Sequence, residues 1–172
     1  EKVPTVIAYL KVLGQNKFIF GQGGADLKHN HNFKLGRNIW YSFKTQLGTD
    51  AGALYYDCEI ENESNKIRNP KDALKLFMAF IKAKIQSHIQ ENNCPQNTQY
   101  AVSIPASFEA NQRRELVEAL AQNGISITKQ SLIDEPNAAF FCFFEQSFSE
   151  NSPLKVPEHR NINVLAFDFV EG

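Results

Sequence analysis

The clearest alternation of apolar and polar positions lies between residues 69 and 93, where it predicts a long amphipathic helix. Asn69 is a favourable N-cap, and Pro70 suits the first helical position because an N–H group there would have no helical partner. The apolar positions recur at helical spacing, at Leu74, Phe77, Ile81, Ile85 and Ile89. Such a stripe is typical of core packing, and it indicates no chemistry by itself.

Upstream of this helix, the pattern predicts a β-hairpin. Residues 3–9 and 17–20 both have strand character, and Leu13-Gly14 between them supplies the turn. Residues 21–24 are rich in glycine, but they fit neither a P-loop nor a dinucleotide fingerprint. We therefore predict that they form a turn leading into a helix.

A second amphipathic pattern of helical spacing covers residues 38–47. It is rich in aromatic residues, contains Lys44 and ends at Gly48. Taken alone, Lys44 is most simply explained as a lysine on the solvated face of a helix.

The second half of the chain changes to a β-α-β-α-β pattern. Strands are predicted at residues 98–104, 125–133 and 163–169, with helices at 108–123 and 136–148. Ser107 is the expected N-cap of the first of these helices, and Gly124 occupies its C-terminal left-handed position. The second helix begins at Pro136 and is apolar nearly all round, so we expect it to be buried. This order predicts an α/β fold with right-handed crossovers in a mainly parallel sheet.

Acidic residues stand at the ends of two of these predicted strands. Asp134-Glu135 precedes Pro136, and Asp168 follows the last apolar run. Open α/β sheets hold metal-bound phosphates at the carboxyl ends of their strands, where carboxylates can bind the metal. The simpler alternative is ordinary loop residues with a proline in the first turn of a helix.

Composition narrows the class of protein. The chain has 172 residues, 42% of them hydrophobic, and a formal net charge of −1, which argues against a nucleic-acid partner. The apolar run at residues 3–10 is too short to span a membrane, and no signal peptide is evident. The three cysteines have no close pair, which favours free thiols in a reducing compartment. We therefore expect a cytoplasmic protein without a membrane partner.

Several short segments, in this order along the chain, resemble successive landmarks of the seventy-kilodalton heat-shock chaperones. They are Val3–Tyr9, Phe20–Gly21 with Ala25, Tyr41–Gly48, Ser103–Phe108, Asn111–Arg113, Asp134–Ala139 and Ala166–Asp168. This DnaK-like family belongs to the actin-like ATPase superfamily, whose lobes have a ribonuclease H-like fold. The resemblance implies the first lobe of the nucleotide-binding domain, truncated at both ends. Residues 1–95 would form its peripheral subdomain (IB-like), and residues 96–172 most of its central subdomain (IA-like).

The resemblance also implies roles for particular residues. Lys44 matches the lysine implicated in ATP hydrolysis, near the γ-phosphate and the attacking water. Glu135 matches the glutamate near the water shell of Mg²⁺, and Asp168 the aspartate that organises the metal. Pro105 and Arg113 match the pair that relays nucleotide state to the rest of a chaperone.

The end of the chain departs from the family pattern. Gly172 matches a nucleotide-binding glycine of the second phosphate loop, but Val170 and Glu171 stand where the family has glycines. A β-branched side chain hinders close approach of backbone N–H groups to phosphate, and Glu171 adds an anion beside an anion. Either the parent hydrolyses ATP poorly, or the chain ends at a boundary within the domain. We expect this chain alone to be inactive, since the family's first phosphate loop and second lobe are missing.

Two classes of function follow from the resemblance. The first is a magnesium-dependent ATPase domain of a stress-response chaperone, which binds ATP or ADP and works with unfolded clients and co-chaperones. The second is a degenerate, non-hydrolysing module for protein interaction. A sugar kinase or a filament protein of the same superfamily fits the Lys44 and Glu135-Pro136 motifs less well.

The resemblance also predicts self-association of the isolated chain. In the family, a hairpin that would precede residue 1 pairs into the central sheet. Without it, we expect an uncovered strand edge near Ile104, Ile133 and Phe167, and such edges recruit other chains.

Overall fold

A computed structural model describes residues 2–55, 57–95 and 97–148 of the chain. The fold is mixed α/β, with a small antiparallel sheet, a parallel strand pair and several helices. The chain divides into two compact units, the first made of residues 1–98 and 109–126, the second of residues 99–108 and 127–172. A domain boundary near residue 95 stays a prediction.

The antiparallel sheet of the first unit has the strand order β2-β1-β3, formed by Val6–Val12 (β1), Gln15–Phe20 (β2) and Ile39–Tyr41 (β3). The predicted hairpin between β1 and β2 is confirmed. Leu13 and Gly14 both adopt positive φ, 51° and 79°, as a tight two-residue hairpin turn requires. A short helix, Gln22–Ala25 (α1), follows β2, as predicted from the glycine-rich segment.

The predicted amphipathic helix over residues 38–47 is wrong. This segment begins with β3, which pairs with β1 through Ile7 and Trp40, and then continues as turns. The helical spacing identified buried side chains, because Trp40, Phe43 and Leu47 are fully buried. The backbone of β3 is extended instead, because the edge of β1 offers hydrogen-bond partners to a neighbouring strand. A short 3-10 helix, Gly52–Tyr55, comes later in the same connection.

The long helix of the first unit is confirmed as Pro70–Glu91 (α2). The Asn69 side chain accepts a hydrogen bond from the Asp72 N–H at 2.8 Å, as an N-cap does. Phe77 is buried and packs its ring edge-on against Phe43, with ring centroids 5.9 Å apart. Beyond its first half the predicted stripe is only half-buried.

The third helix, Ala110–Ala121 (α3), also belongs to the first unit. Its N-cap is Glu109 and not the predicted Ser107, because the Phe108 N–H donates to the Pro105 carbonyl at 3.0 Å and closes a turn first. The predicted C-terminal glycine is confirmed, since Gly124 has φ of 65°. Next to it, the Asn123 side chain donates to the Lys75 carbonyl of α2 at 3.0 Å.

The second unit contains the parallel pair Val102–Ile104 (β4) and Leu132–Asp134 (β5). Parallel pairing confirms the predicted β-α-β order for this part, but both strands are shorter than predicted. Apolar runs mark strand character, whereas the paired partner decides how far a strand extends. The predicted strand at 163–169 lies outside the described residues.

The helix Glu135–Ser147 (α4) follows β5 directly. We expected it to be buried, and this is wrong within the described part of the chain, since Phe141 is 57% and Phe148 71% exposed. The Ile104 side chain, named for an uncovered edge and apolar surface, is fully buried, and α4 packs against both β4 and β5. Whether a strand edge is uncovered there stays a prediction.

Candidate functional site

Lys44 lies on a tight turn that follows β3, formed by residues 42–48 and called the Lys44 turn below. Ser42 opens it with φ of 57°, a left-handed conformation that costs a non-glycine residue about 1 kcal/mol. Its carbonyl accepts the Thr45 N–H at 3.2 Å and the Thr45 hydroxyl at 2.8 Å. On either side of the half-buried Lys44, Phe43 and Leu47 are fully buried. The turn is therefore anchored in the core of the first unit.

A buried tyrosine fixes the Lys44 turn in its middle. The Tyr55 hydroxyl donates to the Gln46 side-chain oxygen Oε1 at 3.0 Å. Tyr55 is only 3% exposed, and burial raises its pKa to about 12. Gln46 is therefore held by a phenol that remains protonated well above neutral pH.

Helix α3 fixes the end of the Lys44 turn. The Gly48 N–H donates to the Glu115 carboxylate oxygen Oε2 at 2.8 Å, and the Gly48 carbonyl accepts from Asn111 Nδ2 at 2.9 Å. Gly48 has φ of 70°, and a Cβ there would stand 2.7 Å from Asn111 Nδ2. The positive φ favours glycine, and a Cβ at this position would crowd the Asn111 side chain that binds the turn.

Arg113, the predicted relay residue, lies on the same helix between the two residues that contact Gly48. Asn111 and Glu115 are one helical turn apart and share a face. Arg113 is two positions from each, about 200° around the helix axis, so it lies on the other side. Helix α3 thus carries one predicted site residue and holds the turn that carries another.

In the second unit, the parallel register brings Pro105 and Glu135 to the same edge of the strand pair. Ile104 is the partner of Asp134 in the ladder, and each predicted site residue comes directly after one of them. Adjacent strands lie about 4.8 Å apart, so the two positions are neighbours at the carboxyl edge. This is the edge at which open α/β sheets bind ligands.

Glu135 is the first residue of α4, where the positive end of the helix dipole favours a carboxylate. Together with Asp134 it supplies oxygen donors of the kind that Mg²⁺ takes. Within the described ranges, no group of three or more His, Cys, Asp or Glu side chains is arranged to hold a metal ion. The donor type fits magnesium, and the binding of magnesium stays a prediction.

The remaining predicted site residues, Asp168 and Gly172, lie outside the described residues. Lys44 and Glu135 belong to different compact units. Their convergence on one metal–phosphate site is therefore still a prediction.

The sequence patterns missed the residues that hold Lys44 in place. Gln46 lies in the Tyr41–Gly48 landmark, but nothing in the sequence indicated its contact with Tyr55, which joins two irregular segments. Glu115 follows Asn111 by four positions, which is the spacing of one helix face, but nothing along the chain linked that face to Gly48.

No protein-family model matches the chain, and no curated protein sequence matches it. The heat-shock resemblance therefore rests on the motifs themselves.

Two further observations concern the described part of the chain. None of its helices is both long and apolar enough to cross a bilayer. Cys58, Cys94 and Cys142 are free thiols, as expected from their number and spacing.

Proposed function

We propose that this chain belongs to the ATP-binding domain of a heat-shock-like molecular chaperone, in which ATP hydrolysis controls client binding. The observation that carries the proposal is the setting of Lys44. The solvated-helix alternative predicts a lysine on an exposed face. Instead, Lys44 is half-buried on a turn whose neighbours Phe43 and Leu47 are fully buried. Fixed placement of one cation is what a phosphoryl-transfer site needs.

The second support is the sheet edge of the other unit. Pro105 and Glu135 follow paired strand residues there, at the end where this class of sheet binds nucleotides. Glu135 opens a helix, so its carboxylate is placed by regular backbone.

In the proposed mechanism, the protein positions charge and does no covalent chemistry. The Lys44 ammonium compensates negative charge that develops on the γ-phosphoryl oxygens. Glu135 would accept a hydrogen bond from water near the metal, and Asp168 would help to hold the metal. Bound Mg²⁺ supplies neutralisation of the phosphate charge. Pro105 and Arg113 communicate the state of the site to the rest of the chaperone.

The test uses the natural protein that carries this sequence. Calorimetry with Mg²⁺ measures ATP affinity, and single-turnover phosphate release measures hydrolysis. Lys44→Ala should slow hydrolysis by about 100-fold and change the ATP Kd by less than about threefold, because the charge acts mainly in the transition state. Lys17→Ala is the matched control, since Lys17 is an exposed lysine of β2 in the same unit.

The second candidate is a module that binds partners without hydrolysing ATP, and Val170 with Glu171 favours it. ATP binding without phosphate release, unchanged in Lys44→Ala, would support this candidate. Absence of ATP binding in the presence of Mg²⁺ would reject the ATPase proposal altogether.

A further inference from the structure

Two side-chain hydrogen bonds join Gly48 to helix α3. Both backbone groups of this one residue are bound by side chains of the same helix face, at 2.8 Å from Glu115 and 2.9 Å from Asn111. The partners are 67 and 63 residues away in the sequence. Such a contact fixes a distant segment and does not merely cap local structure.

We propose that Glu115 and Asn111 are positioning residues that hold the Lys44 turn against α3. The inference rests on the proposed function, because it concerns where Lys44 stands for hydrolysis. Lys44 and Gly48 are four residues apart on one turn, so movement of Gly48 moves the backbone that carries the lysine.

The orientation of Asn111 is set by a second hydrogen bond. Its oxygen Oδ1 accepts the Gln112 N–H at 2.9 Å, which leaves its Nδ2 group to donate to the Gly48 carbonyl. The opposite amide orientation would place two acceptors face to face on that side. The Nδ2 group of Asn111 is therefore oriented to donate to the turn.

Glu115 supplies the stronger of the two bonds. A carboxylate that accepts from a backbone N–H makes a charge-assisted hydrogen bond, roughly twice as strong as a neutral one. The Gly48 N–H is part-buried with Glu115, so removal of the carboxylate leaves a donor that water reaches poorly. The turn should then detach from the helix at this point.

The experiment compares Glu115→Ala, Glu115→Gln and Asn111→Ala in the natural protein that carries this sequence. Glu118→Ala is the matched control. Glu118 lies on the same helix, and its replacement by alanine removes the same charge. The Glu118 carboxylate, however, pairs with Lys71 at 3.1 Å and with Arg114. Backbone hydrogen exchange of residues 42–48, ATP Kd and single-turnover hydrolysis are measured for each variant.

We expect Glu115→Ala to raise amide exchange in the Lys44 turn by about tenfold or more, while exchange in β1 and α2 is unchanged. Hydrolysis should slow by about tenfold with little change in ATP Kd. Glu115→Gln retains an acceptor and should recover most of both properties. Asn111→Ala should act in the same direction, and Glu118→Ala should match the unaltered protein.

Unchanged exchange in Glu115→Ala would overturn the inference, and so would a Glu115→Gln variant as slow in hydrolysis as Glu115→Ala. The second result would mean that the negative charge of Glu115, and not an acceptor for the Gly48 N–H, determines the rate of hydrolysis. Failure of the proposed function has a different signature. In that case Lys44→Ala leaves hydrolysis unchanged, whatever the rate of amide exchange in the Lys44 turn. The proposed positioning role of Glu115 and Asn111 would then be rejected as well.

Discussion

The Tyr55 hydroxyl donates a hydrogen bond to Oε1 of Gln46 at 3.0 Å, and this contact ties the Lys44 turn to the short 3-10 helix that follows it. Together with the bonds from α3 to Gly48, it holds the turn at two separate points. The phenol is almost completely buried, so its ionisation is linked to the stability of the fold.

The first prediction concerns alkaline pH. The folded-state pKa of Tyr55 is about 12, above the ordinary 10.0, because burial disfavours the phenolate. The unfolded chain therefore releases this proton first, and the stabilisation is complete below pH 10 and lost as pH rises towards 12. A gap of about two pKa units corresponds to about 2–3 kcal/mol.

Urea unfolding of the unaltered chain and of Tyr55→Phe checks this prediction. Below pH 10 the variant should be about 1 kcal/mol less stable, because Gln46 loses its donor. The difference between the two proteins should shrink or reverse near pH 12. A difference that stays constant over this range would show that Tyr55 does not ionise with the raised pKa.

A second tyrosine should behave in the opposite way. Tyr9 is 1% exposed, and within the described residues its hydroxyl has no hydrogen-bond partner. Removing an unpaired buried hydroxyl relieves a desolvation cost. Tyr9→Phe should therefore leave the free energy of unfolding unchanged or raise it by up to about 1 kcal/mol. A loss above about 1 kcal/mol in chemical denaturation would mean that the hydroxyl is satisfied.

Alanine substitutions at two glycines distinguish the cost of a steric clash from the cost of a left-handed backbone. Gly36 and Gly14 have nearly equal φ, 80° and 79°, so alanine costs about 1–2 kcal/mol at either position through the left-handed backbone alone. At Gly36 the new Cβ would stand 1.6 Å from the Leu54 carbonyl oxygen, whereas at Gly14 nothing lies within 4 Å.

Gly36→Ala should therefore destabilise the fold by at least about 3 kcal/mol, clearly more than Gly14→Ala. Thermal or urea unfolding of both variants gives the comparison. Equal losses would mean that the connection around Leu54 moves away at little cost.

The fourth prediction concerns the N-cap of α2. Asn69→Ala removes the bond to the Asp72 N–H and should cost about 1 kcal/mol of stability. Asn69→Asp keeps an acceptor at the same place and serves as the control, with a loss within about 0.5 kcal/mol. If the alanine and aspartate variants unfold at the same urea concentration, the cap does not stabilise the helix.

The candidate site shows where reasoning from the sequence stops. The motifs singled out Lys44 and Arg113 separately, whereas the structure links the Lys44 turn to the helix of Arg113 through Gly48. The contact joins groups more than 60 residues apart, and neither Gly48 nor Glu115 belongs to a pattern that requires the other. The sequence alone was enough to predict that Pro105 and Glu135 lie at one sheet edge, because the carboxyl ends of parallel strands lie at the same edge.

Local chemistry accounts for what the sequence determined. The Asn69 cap, the turn at Leu13-Gly14 and the glycine that ends α3 each depend on a few neighbouring residues, and all three are present. Their energies come from hydrogen bonds and φ preferences within one turn of chain, which no distant segment has to supply.

Tertiary structure determined the backbone conformation and the burial of segments whose packing partners are distant in the sequence. Trp40, Phe43 and Leu47 were correctly identified as an apolar set, and all three are buried. Their segment is nevertheless a strand followed by a turn and not the predicted helix, because its first part pairs with β1. Phe141 belongs to an apolar helix but is exposed, since burial depends on the elements that pack against a helix and not on its own sequence. Hydrophobic periodicity indicates which side chains are apolar enough to be buried. Whether their backbone is helical or extended depends on the surface they pack against, and a short stretch of sequence does not contain that surface.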